Sequence, residues 1–332
     1  MTTNPSFADA ARFDVDVASL PPSRGFWGLG LRRLRHNRLA VAGLVVIGAF
    51  VLLAALAPLI ALANPSTQDL RHTFAPVSLH HLAGTDNLGR DWFSRLLYGA
   101  RLSLAVGIFA QVIVVGIGLP LGLVAGYNGR WVDSVIMRFV DLTYAFPDLL
   151  LVILLRGVVG GGVFALFAII GLVTWVDVAR LVRAQAMSLR EREFVEAARS
   201  LGASNREIVM RHILPNLTGP LTVVVAFGVP RAVFLEATLS FIGFGANPGT
   251  PSWGSMVQEG YSAIFTHANL VIAPAGAIAL LMLAFTFLGD GLRDALDPRI
   301  QSTARLPDAA RIPASRTEGA AETEAADTRR AA

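Results

Sequence analysis

Long uninterrupted apolar runs dominate the pattern of hydrophobic and polar positions along this chain. A helix needs about 20 mostly apolar residues to cross a bilayer. Four runs reach that length without an ionised side chain, namely Leu39–Ala63, Leu102–Gly129, Gly157–Val176 and Gly260–Gly289. Two more apolar runs contain charged residues, namely Ser134–Leu155 and Gly219–Phe244. The pattern therefore predicts an all-α integral membrane protein with six transmembrane helices.

The composition supports the membrane prediction and removes several kinds of chemistry. Hydrophobic residues make up 54% of the 332 residues and charged residues 16%, against about 25% charged in soluble domains. The sequence contains no Cys, which excludes disulfides and thiolate metal sites. All 28 basic residues are Arg, so the chain lacks the Lys of a phosphate-binding loop. If this protein uses ATP, another polypeptide must bind it.

Arginines concentrate on one side of the predicted spans, which predicts the orientation. Six precede the first span, and seven lie in the loop between the fourth and fifth spans. Both termini are therefore expected in the cytoplasm. The predicted organisation is a disordered cytoplasmic tail (1–23), an N-terminal segment with the first span (24–63), a periplasmic loop with an interfacial helix at Asp91–Tyr98 (64–99), a five-helix core (100–300) and a second disordered cytoplasmic tail (301–332).

The loop 188–215 carries the signals of two short helices joined by a glycine. Ser188 and Ser204 each precede a Glu by three residues, the spacing of a capping box. Gly202 falls where the first helix should end in a left-handed cap, and Pro215 is expected to end the second. On the first helix, the small or apolar side chains of one face suit docking into a groove on another protein, namely Phe194, Ala197, Ala198 and Leu201. The alternative is a membrane-surface helix that only links two spans.

The loop also carries a family resemblance. Glu196-Ala197-Ala198, followed by Gly202 and Leu214-Pro215, resembles the cytoplasmic signature of the membrane subunits of bacterial ABC importers. In that family an Ile follows the Gly by ten residues, where this chain has His212. Further stretches resemble the second membrane subunit of the dipeptide, oligopeptide and nickel importer group, namely Leu34–Gly43, Gly84–Asp91, Ser94–Arg95, Gly99–Leu104, Met137–Asp141, Glu236–Phe241, Pro251–Gly254 and Gly289–Arg299.

The resemblance implies a type I ABC importer permease fold in the bacterial inner membrane, with loop 188–215 as the coupling loop seated on an ATPase. It also implies a homologous second permease, two cytoplasmic ATPases that hold ATP and Mg, and an external substrate-binding protein that docks on Asn64–Tyr98 and Gly245–Thr266. The chain itself would hold no cofactor and perform no catalysis, and no nucleic acid is expected as a partner. The alternative is an ATP-independent secondary transporter or channel. The cargo stays open among peptides, nickel chelates and related solutes.

Ionisable side chains at bilayer depth are costly and often functional. Arg231 and Glu236 are five residues apart, about 500° of helix, so they do not share a face. Arg231, Glu236 and Asp148 are the candidates for the translocation path. Arg231 is expected either to line the path or to pair with the second permease, and for Glu236 a structural or gating contact is favoured. Asp148, which follows Pro147, either meets a cationic amine of the cargo or bonds backbone freed by the proline. Arg138 and Asp141 are expected to form an intrahelical ion pair.

The predicted outer loop contains three histidines. His80 and His81 are adjacent, a poor geometry for joint chelation, and no carboxylate stands four residues away in a helix. We therefore expect His72, His80 and His81 to be surface residues without a metal. No arrangement of nucleophile, base and acid is recognisable in the sequence, so catalysis in this chain is not expected.

Overall fold

The protein is described here by a computed structural model that covers residues 26–296 except Pro248. The predicted tails 1–23 and 301–332 lie outside these residues. The helices are α1 (Phe26–His36), α2 (Arg38–Ile60), α3 (Trp92–Asn128), α4 (Arg130–Tyr144), α5 (Asp148–Val159), α6 (Val163–Arg190), α7 (Glu193–Ser200), α8 (Asn205–Glu207), α9 (Leu214–Phe241), α10 (Trp253–Tyr261) and α11 (Asn269–Leu296), with a π-helical segment Ile208–Ile213 between α8 and α9.

Among the described residues, five helical segments are long and apolar enough to cross a membrane: α2, α3, α6, α11 and the continuous stretch Asn205–Phe241 that contains α9. The sixth span is the pair α4 and α5, whose axes are bent by 86°. Pro147 lies at this break and cannot donate a backbone hydrogen bond, which explains why the predicted span Ser134–Leu155 is broken. With this broken span counted once, the prediction of six spans in an all-α membrane protein is confirmed.

Helix α3 lies at the centre of the bundle and packs most extensively against α6. Gly118, Gly122 and Gly126 recur every fourth residue on α3, so they share one face. A Cβ added at any of them would lie 2.6–2.7 Å from a backbone carbonyl oxygen of α6. These glycines therefore let the two helix backbones approach closely. Helix α2 packs on α11 and α3 at the outside of the bundle.

Helix α7 lies at one end of the bundle, named the α7 end, and α10 lies at the other, named the α10 end. At the α10 end, the loop between α2 and α3 is held by buried ion pairs. The Arg90 guanidinium donates to Asp86 (2.6 Å) and to Glu259 of α10 (2.7 Å). The fully buried Arg95 also donates to Glu259 (2.7 Å). The two loops expected to form a docking surface are thus joined into one unit.

The interfacial helix expected at Asp91–Tyr98 is not a separate element, and this prediction is wrong. Asp91 is the N-cap of α3 and accepts a hydrogen bond from the backbone N–H of Ser94, so residues 92–98 form the first turns of α3. Trp92, expected at the membrane interface, is fully buried instead. The apolar side of these turns packs within the protein, which the amphipathic pattern alone does not reveal.

Candidate functional site

The loop 188–215 is predicted to form two short helices joined by Gly202, and this helix–glycine–helix segment is named the elbow. The structure contains the first helix and the glycine as predicted. Helix α7 ends at Ser200, and Gly202 adopts the left-handed conformation (φ +86°). The Gly202 N–H donates to the Arg199 carbonyl (3.0 Å) and the Ala203 N–H to the Ala198 carbonyl (3.1 Å). These two bonds form a Schellman motif, which satisfies carbonyls that the helix end leaves free. The predicted left-handed cap at Gly202 is confirmed.

The cap expected at Ser188 is wrong, because Ser188 lies inside α6, which continues to Arg190. The residue that precedes α7 is Arg192, and its side chain makes no capping bond. Capping-box spacing alone does not distinguish a helix start from the interior of a longer helix. Ser204, in contrast, is an N-cap, because its hydroxyl accepts a hydrogen bond from the Glu207 N–H (3.3 Å).

The expectation that Pro215 ends the second helix is also wrong. The helical segment that begins at Asn205 continues through Pro215 to Phe241. The turn before the proline is π-helical, and the Leu214 N–H donates to the Val209 carbonyl. A π turn is wider than an α turn, which gives the proline ring room beside the preceding carbonyls. The loop 188–215 therefore runs directly into the fifth span.

The elbow is anchored to the bundle on one side and exposed on the other. Val195 is fully buried in a cluster with Ile208 and Ile213. Of the six signature residues, Glu196, Ala197, Gly202 and Pro215 are exposed, whereas Ala198 and Leu214 are half-buried. Leu201 leaves 89% of its surface exposed at the end of α7. The structure thus brings the signature residues together at one end of the protein, with apolar groups facing outward.

A second group of functional candidates lies at the break between α4 and α5. The Arg231 guanidinium on α9 donates to Asp177 of α6 and to Asp148 of α5 (2.5 Å to Asp148). The Tyr144 hydroxyl at the end of α4 also donates to Asp177 (3.1 Å). These side chains come from four helices, and we name Asp148, Asp177, Arg231 and Tyr144 the mid-span cluster. Two roles are expected for Arg231 from the sequence, namely lining the path or pairing with the second permease. The structure adds a third, because Arg231 pairs with two carboxylates of its own chain.

A further ion pair lies next to the mid-span cluster. Arg180 donates to Asp141 (2.7 Å) and its guanidinium lies over the Tyr144 ring, 4.1 Å from the centroid. The predicted intrahelical pair between Arg138 and Asp141 is therefore wrong, and Arg138 is exposed. The spacing along α4 brings Asp141 within reach of Arg138. Because α4 packs on α6, however, Asp141 pairs with Arg180 instead.

The side chains of the mid-span cluster are partly exposed, and two of them line a cavity. The side chains of Arg231, Asp148 and Asp177 are 50%, 34% and 28% exposed. A cavity of about 170 Å³ is lined by Asp177 and Arg231 together with Gln111, Val114, Thr174, Val178, Val224, Phe227, Gly228 and Ala232. Such a site can bind charged groups through its ion pairs and apolar groups through its walls.

Glu236 lies on the other side of α9 and is completely buried. Its carboxylate accepts hydrogen bonds from the hydroxyls of Ser103 on α3 (2.9 Å) and Ser240 (2.6 Å). The Ser103 hydroxyl in turn accepts a hydrogen bond from the backbone N–H of Trp253 at the start of α10 (3.3 Å). The prediction that Arg231 and Glu236 do not share a face is confirmed.

Two functional candidates were missed in the sequence. Asp177 was placed just outside the fourth span, which was expected to end at Val176, but α6 continues to Arg190. The apolar residues on both sides of Asp177 were the available signal. Arg156 is 5% exposed, and its guanidinium donates to four backbone carbonyls, those of Gly160, Gly162, Gly245 and Ala246. It thereby connects the α5–α6 turn to the segment after α9.

Two of the three histidines contact carboxylates of the loop between α2 and α3. His72 bonds Asp69 (2.7 Å) and His81 bonds the α3 N-cap Asp91 (2.9 Å). The bond from His72 lowers the pKa of the exposed Asp69 carboxyl below its ordinary value. Within residues 26–296, Pro248 excepted, no three His, Asp or Glu side chains come together to hold a metal ion.

Comparison with known proteins identifies the family. Residues 118–302, more than half of the chain, match the family described as "Binding-protein-dependent transport system inner membrane component". The chain belongs to this permease family. Residues 25–76 match the N-terminal transmembrane domain of oligopeptide transport permease C. The resemblance based on the loop 188–215 is therefore confirmed, and the permease is a multi-pass protein of the inner membrane.

Individual relatives cover most of the permease. It is 40% identical to the dipeptide transport system permease protein DppC of Alkalihalophilus pseudofirmus, over 83% of this chain and 91% of the relative. It is 38% identical to the oligopeptide transport system permease protein OppC of Bacillus subtilis (84% and 92%) and 40% identical to OppC of Escherichia coli K12 (83% and 92%). A solved structure of the MetNI methionine ABC transporter, in inward-facing conformations, aligns with a TM-score of 0.49 at 21% identity, over 61% of this chain and 96% of that chain.

Proposed function

We propose that this permease moves peptides, or a related small solute, from an external binding protein into the cytoplasm. The observation that carries the proposal is the 38–40% identity to dipeptide and oligopeptide permeases over more than four fifths of this chain. The Arg-rich loops favour an orientation in which the α7 end is cytoplasmic and the α10 end is external. Both termini would then be cytoplasmic.

The proposed assembly contains a homologous second permease, two ATPases and the binding protein. ATP and Mg belong to the ATPases, since this chain has no Lys for a phosphate-binding loop. The permease itself then carries no cofactor and performs no catalysis. The unit formed by Glu259 with Arg90 and Arg95 offers a rigid surface at the α10 end for the binding protein.

The coupling role is proposed for Glu196, Ala197, Ala198, Gly202, Leu214 and Pro215. Their support is the anchored but exposed elbow, in which Val195 holds α7 to the bundle while Leu201 projects outward. Because the helix that begins at Asn205 continues through Pro215 into α9, only the short turn 201–204 separates α7 from the fifth span, and a displacement of α7 by the ATPases would reach that span through this turn. Closure of the ATPases would in this way change access to the path.

The translocation path is proposed to include Arg231 and Asp148, supported by their exposure at mid-span and by the adjacent cavity. Glu236 is the third path candidate among the charged residues of the predicted spans. Its complete burial among serine hydroxyls favours instead a contact that holds α3, α9 and α10 together.

The substitution Ala197→Arg tests the coupling proposal. Ala197 is exposed on the side of α7 away from Val195, so a larger side chain there does not disturb the bundle but obstructs a close-fitting groove. We expect loss of ATPase co-purification and of ATP-dependent uptake of a radiolabelled dipeptide into proteoliposomes.

The matched control is Ala268→Arg, a substitution of an exposed alanine at the α10 end. It should leave co-purification of the ATPases unchanged. If Ala197→Arg retains both the ATPases and full uptake, α7 is not seated on a partner and the coupling proposal fails. If the unsubstituted complex imports the dipeptide without ATP, the importer mechanism itself fails.

A further inference from the structure

The charges around the mid-span cluster do not balance. Arg231 and Arg180 face three carboxylates, those of Asp141, Asp148 and Asp177. The next basic residue of α6, Arg183, is matched by its own partner, Asp133. Counting only direct ion pairs among the described residues, this group therefore has one carboxylate more than it has arginines.

The position of this charge makes it costly. Arg231 lies ten residues, about 15 Å of helix, before the end of α9 at Phe241, which is well inside a hydrocarbon core about 30 Å thick. An unneutralised charge at this depth needs a cationic partner or water. The surplus carboxylate thus offers a position at which a cation can complete the cluster.

The local backbone is arranged as in a binding site. Asp148 is the first residue of α5, directly after the break at Pro147. Broken spans form substrate sites near the middle of the membrane in many transporters, because the unwound backbone borders an aqueous cavity there. The 170 Å³ cavity beside Asp177 and Arg231 provides this space.

We propose that Asp148 and Asp177 bind a primary ammonium group of the cargo, with Arg231 between them holding the two carboxylates in place. The inference rests on the proposed function, because a peptide supplies such a group at its amino terminus. The apolar wall formed by Val114, Val224 and Phe227 would contact the adjoining part of the cargo. Tyr144 orients Asp177 by donating its hydroxyl proton.

The absence of Cys from this chain permits a test that requires no transport. In the complete complex, embedded in lipid nanodiscs, Val224→Cys places a thiol on the cavity wall two helical turns from Arg231. The rates of its modification by cationic trimethylammonium-ethyl and anionic sulfonatoethyl methanethiosulfonate are measured on this chain by mass spectrometry. Val77→Cys, in the exposed outer loop, gives the reference ratio.

We expect the cationic reagent to be favoured at the cavity-wall thiol of Val224→Cys relative to the reference. Asp148→Asn or Asp177→Asn should each lower that ratio about tenfold, equivalent to about 1.4 kcal/mol. Asp290→Asn, an exposed carboxylate on α11, is the matched control and should leave the ratio unchanged. Glycinamide, a primary ammonium, should slow the cationic reagent, whereas the neutral N-acetylglycinamide should not.

Two results would overturn the proposal. One is a ratio at the cavity-wall thiol equal to the reference or insensitive to both Asp→Asn changes. The other is no protection by glycinamide in the Val224→Cys background, which would assign the missing cation to the second permease. Because labelling needs no ATP, loss of the importer mechanism with intact protection would contradict only the proposed function. Protection can be measured even if the Asn variants do not assemble.

Discussion

The close approach of α3 and α6 predicts that a single methyl group at Gly122 destabilises the permease. A Cβ at this position would lie 2.6 Å from the Ala179 carbonyl oxygen and 2.8 Å from the Cβ of Val182. Ordinary contact begins at 3.4 Å, so the two helices must separate locally by roughly 0.8 Å. The nearest atom belongs to the backbone and the next is the Cβ of Val182, so neither can rotate away as the far end of a flexible side chain can.

The magnitude follows from the loss of packing. A gap of 0.5–1 Å removes about a quarter to a half of the dispersion energy of the atoms that face it, and overpacking in cores costs about 1–3 kcal/mol. Alanine regains about 0.5–1 kcal/mol of helix preference over glycine. The net expectation for Gly122→Ala is therefore a destabilisation of about 1–2 kcal/mol.

The assay is the apparent midpoint of thermal unfolding of the detergent-solubilised complex at a fixed heating rate, followed by size-exclusion chromatography. The matched control is Gly116→Ala on the same helix, where a Cβ meets nothing within 4 Å. Gly122→Ala should unfold several degrees below the unsubstituted protein, and Gly116→Ala should unfold at or above it. Equal midpoints for the two variants would show that α3 and α6 part without cost, and the packing argument would be refuted.

Two further predictions concern the ends of the protein. Gly202→Val should reduce ATP-dependent uptake by straining the left-handed cap at φ +86°, whereas Gly276→Val, which also meets nothing within 4 Å but lies inside α11, should retain uptake. Equal activity of the two would contradict the role of the elbow. Glu259→Gln should destabilise the α10 end by about 3 kcal/mol, the lower end of the range for a buried pair, because the fully buried Arg95 loses the charge of its half-buried partner. Faster proteolysis of residues 64–91 measures this loss, and Glu207→Gln, which affects an exposed pair, should not change it.

Hydrophobic periodicity predicted the helical class and the six spans, because burial in a bilayer requires long apolar helices whatever their neighbours are. Local chemistry also predicted the left-handed Gly202 and the cap at Ser204, since both depend on bonds within a few residues. The relation between Arg231 and Glu236 followed from helix geometry alone.

Other features depended on contacts between helices that are distant in sequence. The partner of Asp141 is Arg180 rather than Arg138, and Arg231 meets Asp148 and Asp177 from two other helices. Spacing along one helix lists the groups within reach but does not weigh them against groups on another helix. These pairings arise from the packing of α4, α5 and α9 around α6.

The amino-acid sequence by itself determined what each segment is: an apolar span, a capped turn or a charged loop. Tertiary structure alone decided where α3 begins, that Pro215 lies within a continuous helix, and which charges meet at the break after Tyr144. The physical reason is the distance along the chain over which each interaction acts. Backbone hydrogen bonds and bilayer burial act within a segment, whereas side-chain pairing and close packing depend on which helices the fold brings together.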